Sequence, residues 1–261
     1  MANDPVIAPG TLRDLGPFRL LEAASLEGVG RADIARVPLE VWEAAAKSGE
    51  TSFENVAYWE RAIAALGIDG SVPAVVFDDG RLTEAARVWF ILQYFGAEAF
   101  ILNGGWPTIK DREDVRGVIP SSGTASFKAR PGSGSVGLVD RQTLKAELGA
   151  DVRIFDARTA GEFAGEDLRR NSRGGHLPGA RLLPHANLLD AGRLRPADEL
   201  QQLLTDAGFQ SGDHIVTHCD GGGRAALAAA AAVRAGYQDV RAYYLSFADW
   251  AKDESCAIVR D

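Results

Sequence analysis

The chain has 261 residues, of which 46% are hydrophobic, so it can form one large domain or two of ordinary size. Its net charge of −8 argues against a nucleic-acid partner, because phosphate binding needs clustered lysines and arginines. It contains no apolar run of about 18 residues, so we expect no membrane span.

The first half of the chain alternates between strand and helix patterns. Short β-branched runs predict strands, and apolar residues at helical spacing before a glycine predict helices. The predicted strands cover residues 18–22, 72–77 and 99–102, and the predicted helices cover residues 38–46, 58–66 and 84–95. Such alternation predicts a mostly parallel sheet covered by helices on both faces.

The second half repeats this pattern. Residues 152–158, 200–208, 215–219 and 239–245 echo residues 18–22, 63–67, 75–78 and 98–102, respectively. Between the halves, residues 117–137 are rich in Gly, Ser and Pro, as is typical of a linker. We therefore predict two similar α/β domains, at residues 1–118 and 137–261, joined by a linker at residues 119–136.

A cysteine loop stands between a buried strand and an alanine-rich helix of the second half. The loop consists of Cys219, Asp220, Gly221, Gly222, Gly223 and Arg224. Consecutive glycines can direct several N–H groups into one concave turn, and the positive end of a helix favours an anion there. Thiols in such positions beside an arginine ionise readily, so we expect Cys219 to be nucleophilic. The planar fork of Arg224 suits an oxyanion.

The equivalent position in the first half is Asp78. No triple glycine follows it, so the first half is expected to lack both the thiol and a comparable cradle. We predict that this half is catalytically inactive and forms a wall of the cleft.

The two cysteines and the start of the chain bear on location. Cys219 and Cys256 do not make a disulfide framework, and no second pair at short spacing suggests a metal site. The first residues lack the basic and apolar blocks of a signal peptide. We expect a cytoplasmic protein without a structural metal.

Four motifs of the second half resemble those of two-domain rhodaneses, the family of thiosulfate and 3-mercaptopyruvate sulfurtransferases. They are Asp156-Ala-Arg158 with Glu162-Phe163, residues 175–180 (GHLPGA), the loop at 219–224, and Ser246-Phe-Ala-Asp-Trp250. The resemblance implies two tandem rhodanese-like domains, the first inactive and the second catalytic.

The resemblance also implies a sulfurtransferase reaction (EC 2.8.1.-). The Cys219 thiolate would attack a sulfane sulfur of thiosulfate or 3-mercaptopyruvate, and the N–H groups of Asp220 to Arg224 would stabilise the resulting persulfide. Cyanide, a small thiol or a thiol protein would then remove the sulfur. This ping-pong cycle needs no metal and no organic cofactor.

Several further residues are expected to support the loop, namely Asp156, Arg158, Arg173, His176, Ser246 and Trp250. Asp156 and Arg158 are expected to pair and brace the loop. His176 is expected to satisfy a loop hydrogen bond. Arg173 is expected to be exposed, with contact to an anionic donor as the alternative, and strand alternation directs His218 away from the neighbouring cysteine side chain.

Two other functions share these residues. His218-Cys219 and Arg224 also resemble cysteine-dependent phosphatases or arsenate reductases, although four residues rather than five separate the Cys and the Arg. A persulfide carrier without turnover is the second alternative. The donor is not decided, since Asp220 opposes a dianion and mercaptopyruvate enzymes usually carry an arginine where Glu162 stands. Because Arg224 ends the loop, we expect thiosulfate to be slightly favoured as the donor.

Overall fold

The computed structural model describes residues 4–24, 26, 29–119 and 125–260. The chain divides into two units between Gly134 and Ser135. Residues 120–124 of the predicted linker lie outside the described residues, and residues 125–134 belong to the first unit. Both units are α/β with parallel central sheets, which confirms the predicted fold class.

The first unit contains a five-stranded parallel sheet in the order β1-β5-β4-β2-β3. Its elements are β1 (Val6–Ile7), β2 (Arg19–Glu22), β3 (Ile34–Arg36), α1 (Leu39–Lys47), α2 (Val56–Ala64), β4 (Ala74–Phe77), α3 (Thr83–Tyr94) and β5 (Ala99–Leu102). The sequence predicted every one of these except β1 and β3. These two have only two and three residues, too few to show a pattern.

The second unit contains a parallel sheet in the order β6-β12-β11-β7-β8, beside a separate antiparallel pair, β9 and β10. Its elements are β6 (Gly137–Leu138), α4 (Arg141–Glu147), β7 (Val152–Asp156), α5 (Ala160–Ala164), β8 (Ala180–Leu182), β9 (Leu189–Asp190), β10 (Arg193–Leu194), α6 (Ala197–Asp206), β11 (His214–His218), α7 (Gly223–Arg234), β12 (Val240–Ala242) and α8 (Ser246–Trp250). The strands of both sheets therefore follow the same order: first, fifth, fourth, second, third. None of the helices in the described residues is long and apolar enough for a membrane crossing.

The central strand β11 positions the predicted loop. It lies between β7 and β12, and its last residue, His218, is in register with Asp156 at the end of β7. Its successor Cys219 therefore lies at the carboxyl edge of a parallel sheet, the edge where such folds bind ligands. The alanines of α7 are buried, because small side chains let this helix pack closely on the sheet.

The first unit holds a cradle that the sequence analysis did not expect. Asp78 directly follows β4 and is fully buried. Its carboxylate accepts hydrogen bonds from the backbone N–H groups of Gly80 (2.9 Å), Leu82 (3.0 Å), Glu84 (3.2 Å) and Ala85 (3.2 Å). The prediction of no comparable cradle is therefore wrong: Leu82 adopts the left-handed φ of 64° without a glycine and turns the chain around the carboxylate.

Asp78 should consequently be a stability determinant of the first unit. We expect Asp78→Ala to lower the free energy of unfolding by roughly 2–4 kcal/mol, because buried N–H groups lose their acceptor. Urea denaturation followed by circular dichroism measures this. The matched control is Asp79→Ala, since Asp79 is exposed and pairs with exposed Arg81, so a change within about 0.5 kcal/mol is expected. Equal effects of the two substitutions would contradict the assignment.

Candidate active site

The sulfur of Cys219 lies at the N-terminal end of α7. The residue is buried, and its Sγ accepts a hydrogen bond from the backbone N–H of Gly222 at 3.1 Å. Gly222 has a φ of 104°, a conformation that residues with a Cβ rarely adopt. The glycine therefore permits the turn that directs an amide, and the positive end of the helix dipole, at the sulfur.

The start of α8 holds the same loop from the other side. The N–H of Cys219 donates to Ser246 Oγ at 3.1 Å, and this hydroxyl lies 3.8 Å from Cys219 Sγ. The N–H groups of Phe247 and Ala248 donate to the carbonyls of Cys219 and Asp220, each at 3.0 Å. The predicted supporting residue Ser246 thus contacts both the backbone and the sulfur of the cysteine.

Arg224 is paired inside the protein rather than free to bind an oxyanion. Its two terminal nitrogens donate to the two carboxylate oxygens of Glu162 at 2.6 and 2.8 Å. Glu162 is buried and also accepts hydrogen bonds from the N–H and the hydroxyl of Thr159, forming a capping box at the start of α5. Because a buried carboxylate requires such partners, Glu162 occupies the planar fork of Arg224. The prediction that this fork is available to an oxyanion is therefore corrected.

The charge states of this pair follow from their contacts. Burial by itself would raise the pKa of Glu162, but hydrogen bonds from Arg224 and Thr159 and the positive charge of Arg224 lower it to about 2. Burial would lower the pKa of Arg224, yet the hydrogen bonds to Glu162 and the nearby negative groups raise it overall. Both side chains are therefore charged at neutral pH.

Asp156 and Arg158 form a second buried pair. Arg158 Nη2 lies 2.6 Å from Asp156 Oδ2 and also donates to the carbonyl of Gly175 at 2.8 Å. The guanidinium lies over the ring of Phe247, 4.0 Å from its centroid. This pair therefore links the end of β7 to the segment before β8 and to the first turn of α8, which holds the cysteine loop.

His218 faces this pair. Its Nε2 lies 3.3 Å from Asp156 Oδ2, and its Nδ1 lies 3.3 Å from the carbonyl oxygen of Cys219. Burial lowers the pKa of His218 to about 4, against the opposing effect of Asp156. The imidazole is therefore neutral at pH 7 and contacts the backbone of Cys219.

Arg173 differs from its prediction. It is half-buried and donates to the carbonyls of Trp250 (3.2 Å), Ala251 (3.0 Å), Asp253 (2.5 Å) and Cys256 (2.9 Å). The end of a helix leaves carbonyl groups without partners, and this guanidinium supplies donors to them. Arg173 thus braces the segment at and after the end of α8 and is neither an exposed residue nor directed at a donor.

His176 and Trp250 have structural contacts. The His176 ring stacks on Phe163 with centroids 3.6 Å apart, and its Nδ1 lies 3.1 Å from the Phe163 carbonyl oxygen. The indole N–H of Trp250 donates to the carbonyl of Ala257 at 2.9 Å. Both residues stabilise the segments around the loop.

Two residues of the site were not assigned by the sequence analysis. Glu162 was noted as part of a motif and as a position that bears on the donor, but not as a partner of Arg224, although the spacing of Thr159 and Glu162 is that of a capping box. Asn171 donates to Asp220 Oδ1 at 2.7 Å. No local pattern marks Asn171, because its partner lies 49 positions away.

The second cysteine belongs to the core. Cys256 is buried in an apolar cluster with Leu177, Val216 and Trp250, and burial raises the pKa of its thiol. Such surroundings favour a protonated, unreactive thiol.

Known proteins similar in sequence to this chain include sulfurtransferases. The family model for the rhodanese-like domain matches residues 140–253. The putative thiosulfate sulfurtransferase SseB of Mycobacterium tuberculosis is 31% identical over 205 residues, covering 74% of this chain and 69% of SseB. The 3-mercaptopyruvate sulfurtransferase of Escherichia coli K12 is 29% identical over 194 residues, covering 72% of this chain and 68% of that protein.

The fold is likewise similar to a solved structure. The crystal structure of SseA from Escherichia coli superposes with a TM-score of 0.69 at 23% identity, covering 93% of this chain and 98% of SseA. SseA has the rhodanese fold, and this chain shares it. The chain belongs to the rhodanese family and is a sulfurtransferase. The phosphatase and arsenate reductase alternative is not favoured by these relatives.

The Glu162–Arg224 pair predicts a pH-dependent contribution to stability. Because the pKa of Glu162 is lowered from 4.5 to about 2 on folding, this contribution is present above pH 4.5 and is lost as the pH falls towards 2. The free-energy difference between the native protein and Glu162→Gln should therefore narrow over that range. Urea titrations at several pH values measure it.

A control for this measurement is Glu166→Gln, because Glu166 is exposed and close in sequence. Its effect should stay small at every pH. A gap between the native protein and Glu162→Gln that stays constant from pH 6 to pH 2 would contradict the ionised pair.

Proposed function

We propose that Cys219 takes a sulfane sulfur from a small-molecule donor, holds it as a persulfide and passes it to a thiophilic acceptor. The observation that carries this proposal is the position of Cys219 Sγ, which accepts the Gly222 N–H at 3.1 Å at the N-terminal end of α7. An amide and a helix dipole directed at one sulfur stabilise negative charge on it.

The chemistry is a double displacement. The Cys219 thiolate attacks the outer sulfur of the donor, a new S–S bond forms, and the donor's bond to that sulfur breaks. Sulfite leaves from thiosulfate, and the enolate of pyruvate, which then takes up a proton, leaves from 3-mercaptopyruvate. Cyanide or a thiolate next attacks the outer sulfur, and the Cys219 thiolate is the leaving group.

Both donors have named precedents among the relatives, SseB for thiosulfate and the Escherichia coli protein for 3-mercaptopyruvate. The expectation of thiosulfate rested on Arg224, whose fork is occupied by Glu162. The geometry therefore supports 3-mercaptopyruvate at least as well as thiosulfate.

We propose that only one of the two halves is catalytic. Residues 137–261 would form the catalytic domain and residues 1–118 an inactive repeat, with residues 119–136 as the linker. The shared strand order of the two sheets and the presence of Asp78 at the position of Cys219 support this division.

Location and partners extend the proposal. Cys219 and Cys256 are both free thiols, which suits a reducing compartment such as the cytoplasm. A thiol protein is a possible acceptor beside small thiols, and the net charge of −8 speaks against nucleic acid.

Substitution of the cysteines tests the mechanism. Cys219→Ser should abolish sulfur transfer and remove the mass gain of one sulfur that the native protein acquires from a donor and loses to cyanide. Intact-protein mass spectrometry and a coupled rate assay measure the two effects.

The matched control is Cys256→Ser, which should retain both the mass gain and turnover because its thiol is buried in the core. A persistent mass gain in Cys219→Ser would reject the nucleophile assignment. A mass gain without turnover in the native protein would identify a persulfide carrier.

A further inference from the structure

The cysteine loop together with Glu162 carries more negative than positive charge. Two carboxylates, Asp220 and Glu162, accompany the single guanidinium of Arg224, and the proposed reacting group of Cys219, a thiolate, is itself an anion. Asp220 is held in place by the amide of Asn171 at 2.7 Å. Arg224 interacts electrostatically with Cys219, Asp220 and Glu162, so these four residues belong to one site.

Other charged groups near this site change the balance little. Arg169 lies 3.9 Å from Glu162, but 53% of its side chain is exposed, so solvent screens its charge. His185 interacts with Arg224 and Glu162, and burial together with Arg224 lowers its pKa, which favours the neutral imidazole at pH 7. An approaching donor therefore meets a site in which the cation Arg224 is already paired with Glu162.

The helix-capping role of Glu162 does not require its contact with Arg224. Its capping-box bonds to Thr159 use only Oε2, whereas both oxygens bind the guanidinium. A glutamine at this position keeps an oxygen for Thr159 and removes the charge. The carboxylate therefore has an electrostatic effect that can be separated from helix capping.

We infer that Glu162 is a specificity-determining residue: it withholds the fork of Arg224 from the donor and adds a negative charge, so the site selects sulfur donors with one negative charge or none over dianions. The inference rests on the proposed sulfur transfer at Cys219 and names its donor class. Organic mercapto acids and thiol persulfides belong to the favoured class, and thiosulfate belongs to the disfavoured one.

Coulomb's law sets the direction of this selection. A dianion is repelled by Glu162, Asp220 and the thiolate about twice as strongly as a monoanion at the same distance, and the Glu162–Arg224 pair offers little compensating attraction. Removing the charge of Glu162 eliminates one repulsion and frees the cation. The effect should therefore be larger for thiosulfate than for 3-mercaptopyruvate.

The test is the ratio of kcat/KM for thiosulfate to that for 3-mercaptopyruvate, with cyanide as the common acceptor. In Glu162→Gln this ratio should rise by about tenfold over the native protein. Glu166→Gln makes the same change in net charge at an exposed position, and Thr159→Ala removes the capping hydroxyl but keeps the charge pair. Both controls should leave the ratio unchanged.

A ratio in Glu162→Gln equal to the native one, with activity retained, would overturn the inference, as would an equal shift in Thr159→Ala. If Glu162→Gln does not fold, the inference can be tested through the salt dependence of kcat/KM in the native protein. Repulsion predicts that added KCl raises kcat/KM for thiosulfate more than for 3-mercaptopyruvate, and a decrease for thiosulfate would contradict it.

Failure of the proposed function has a different signature. In that case the native protein would gain no sulfur mass from either donor and would show no turnover, whatever the charge at position 162. If the native protein gains sulfur mass but Glu162→Gln leaves the ratio of kcat/KM for the two donors unchanged, the proposed function stands and this inference is wrong.

Discussion

Main-chain N–H groups around the start of a helix need an acceptor, and both halves of this chain supply one from the residue that follows a central parallel strand. In the first unit the carboxylate of Asp78 accepts four such donors. In the second unit the acceptor is the sulfur of Cys219, which accepts the N–H of Gly222. One architectural requirement is therefore met by a buried carboxylate in one unit and by a buried cysteine sulfur in the other.

Buried charges hold the cysteine loop in place because each one needs a partner. Asp156 pairs with Arg158, and the latter binds Gly175 and lies over Phe247 at the start of α8. Glu162 pairs with Arg224 at the start of α7. The contact between Glu162 and Arg224 therefore both fixes the loop and sets which charged groups lie beside it.

The sequence was most informative where one short segment contains the whole signal. The strand, cysteine, glycines and helix of residues 214–234 were all predicted from neighbouring residue types, and the structure has them in that order. The strands β1 and β3 were not predicted, because two or three residues are too few for a periodic pattern. The cradle around Asp78 was not predicted, because a left-handed residue in it is Leu82 and not a glycine, which the sequence would have marked as a turn.

The sequence by itself determined the α/β class, the two similar halves of the chain, the position of Cys219 between a strand and a helix, and the aspartate in its place in the first half. Only the tertiary structure decided the partners of Arg224, Asp220 and Arg173. These partners lie 62, 49 and 77 or more positions away, where the chain returns to the loop from other elements. Residue types within a segment indicate local conformation, but which side chains neutralise each other depends on how the segments pack.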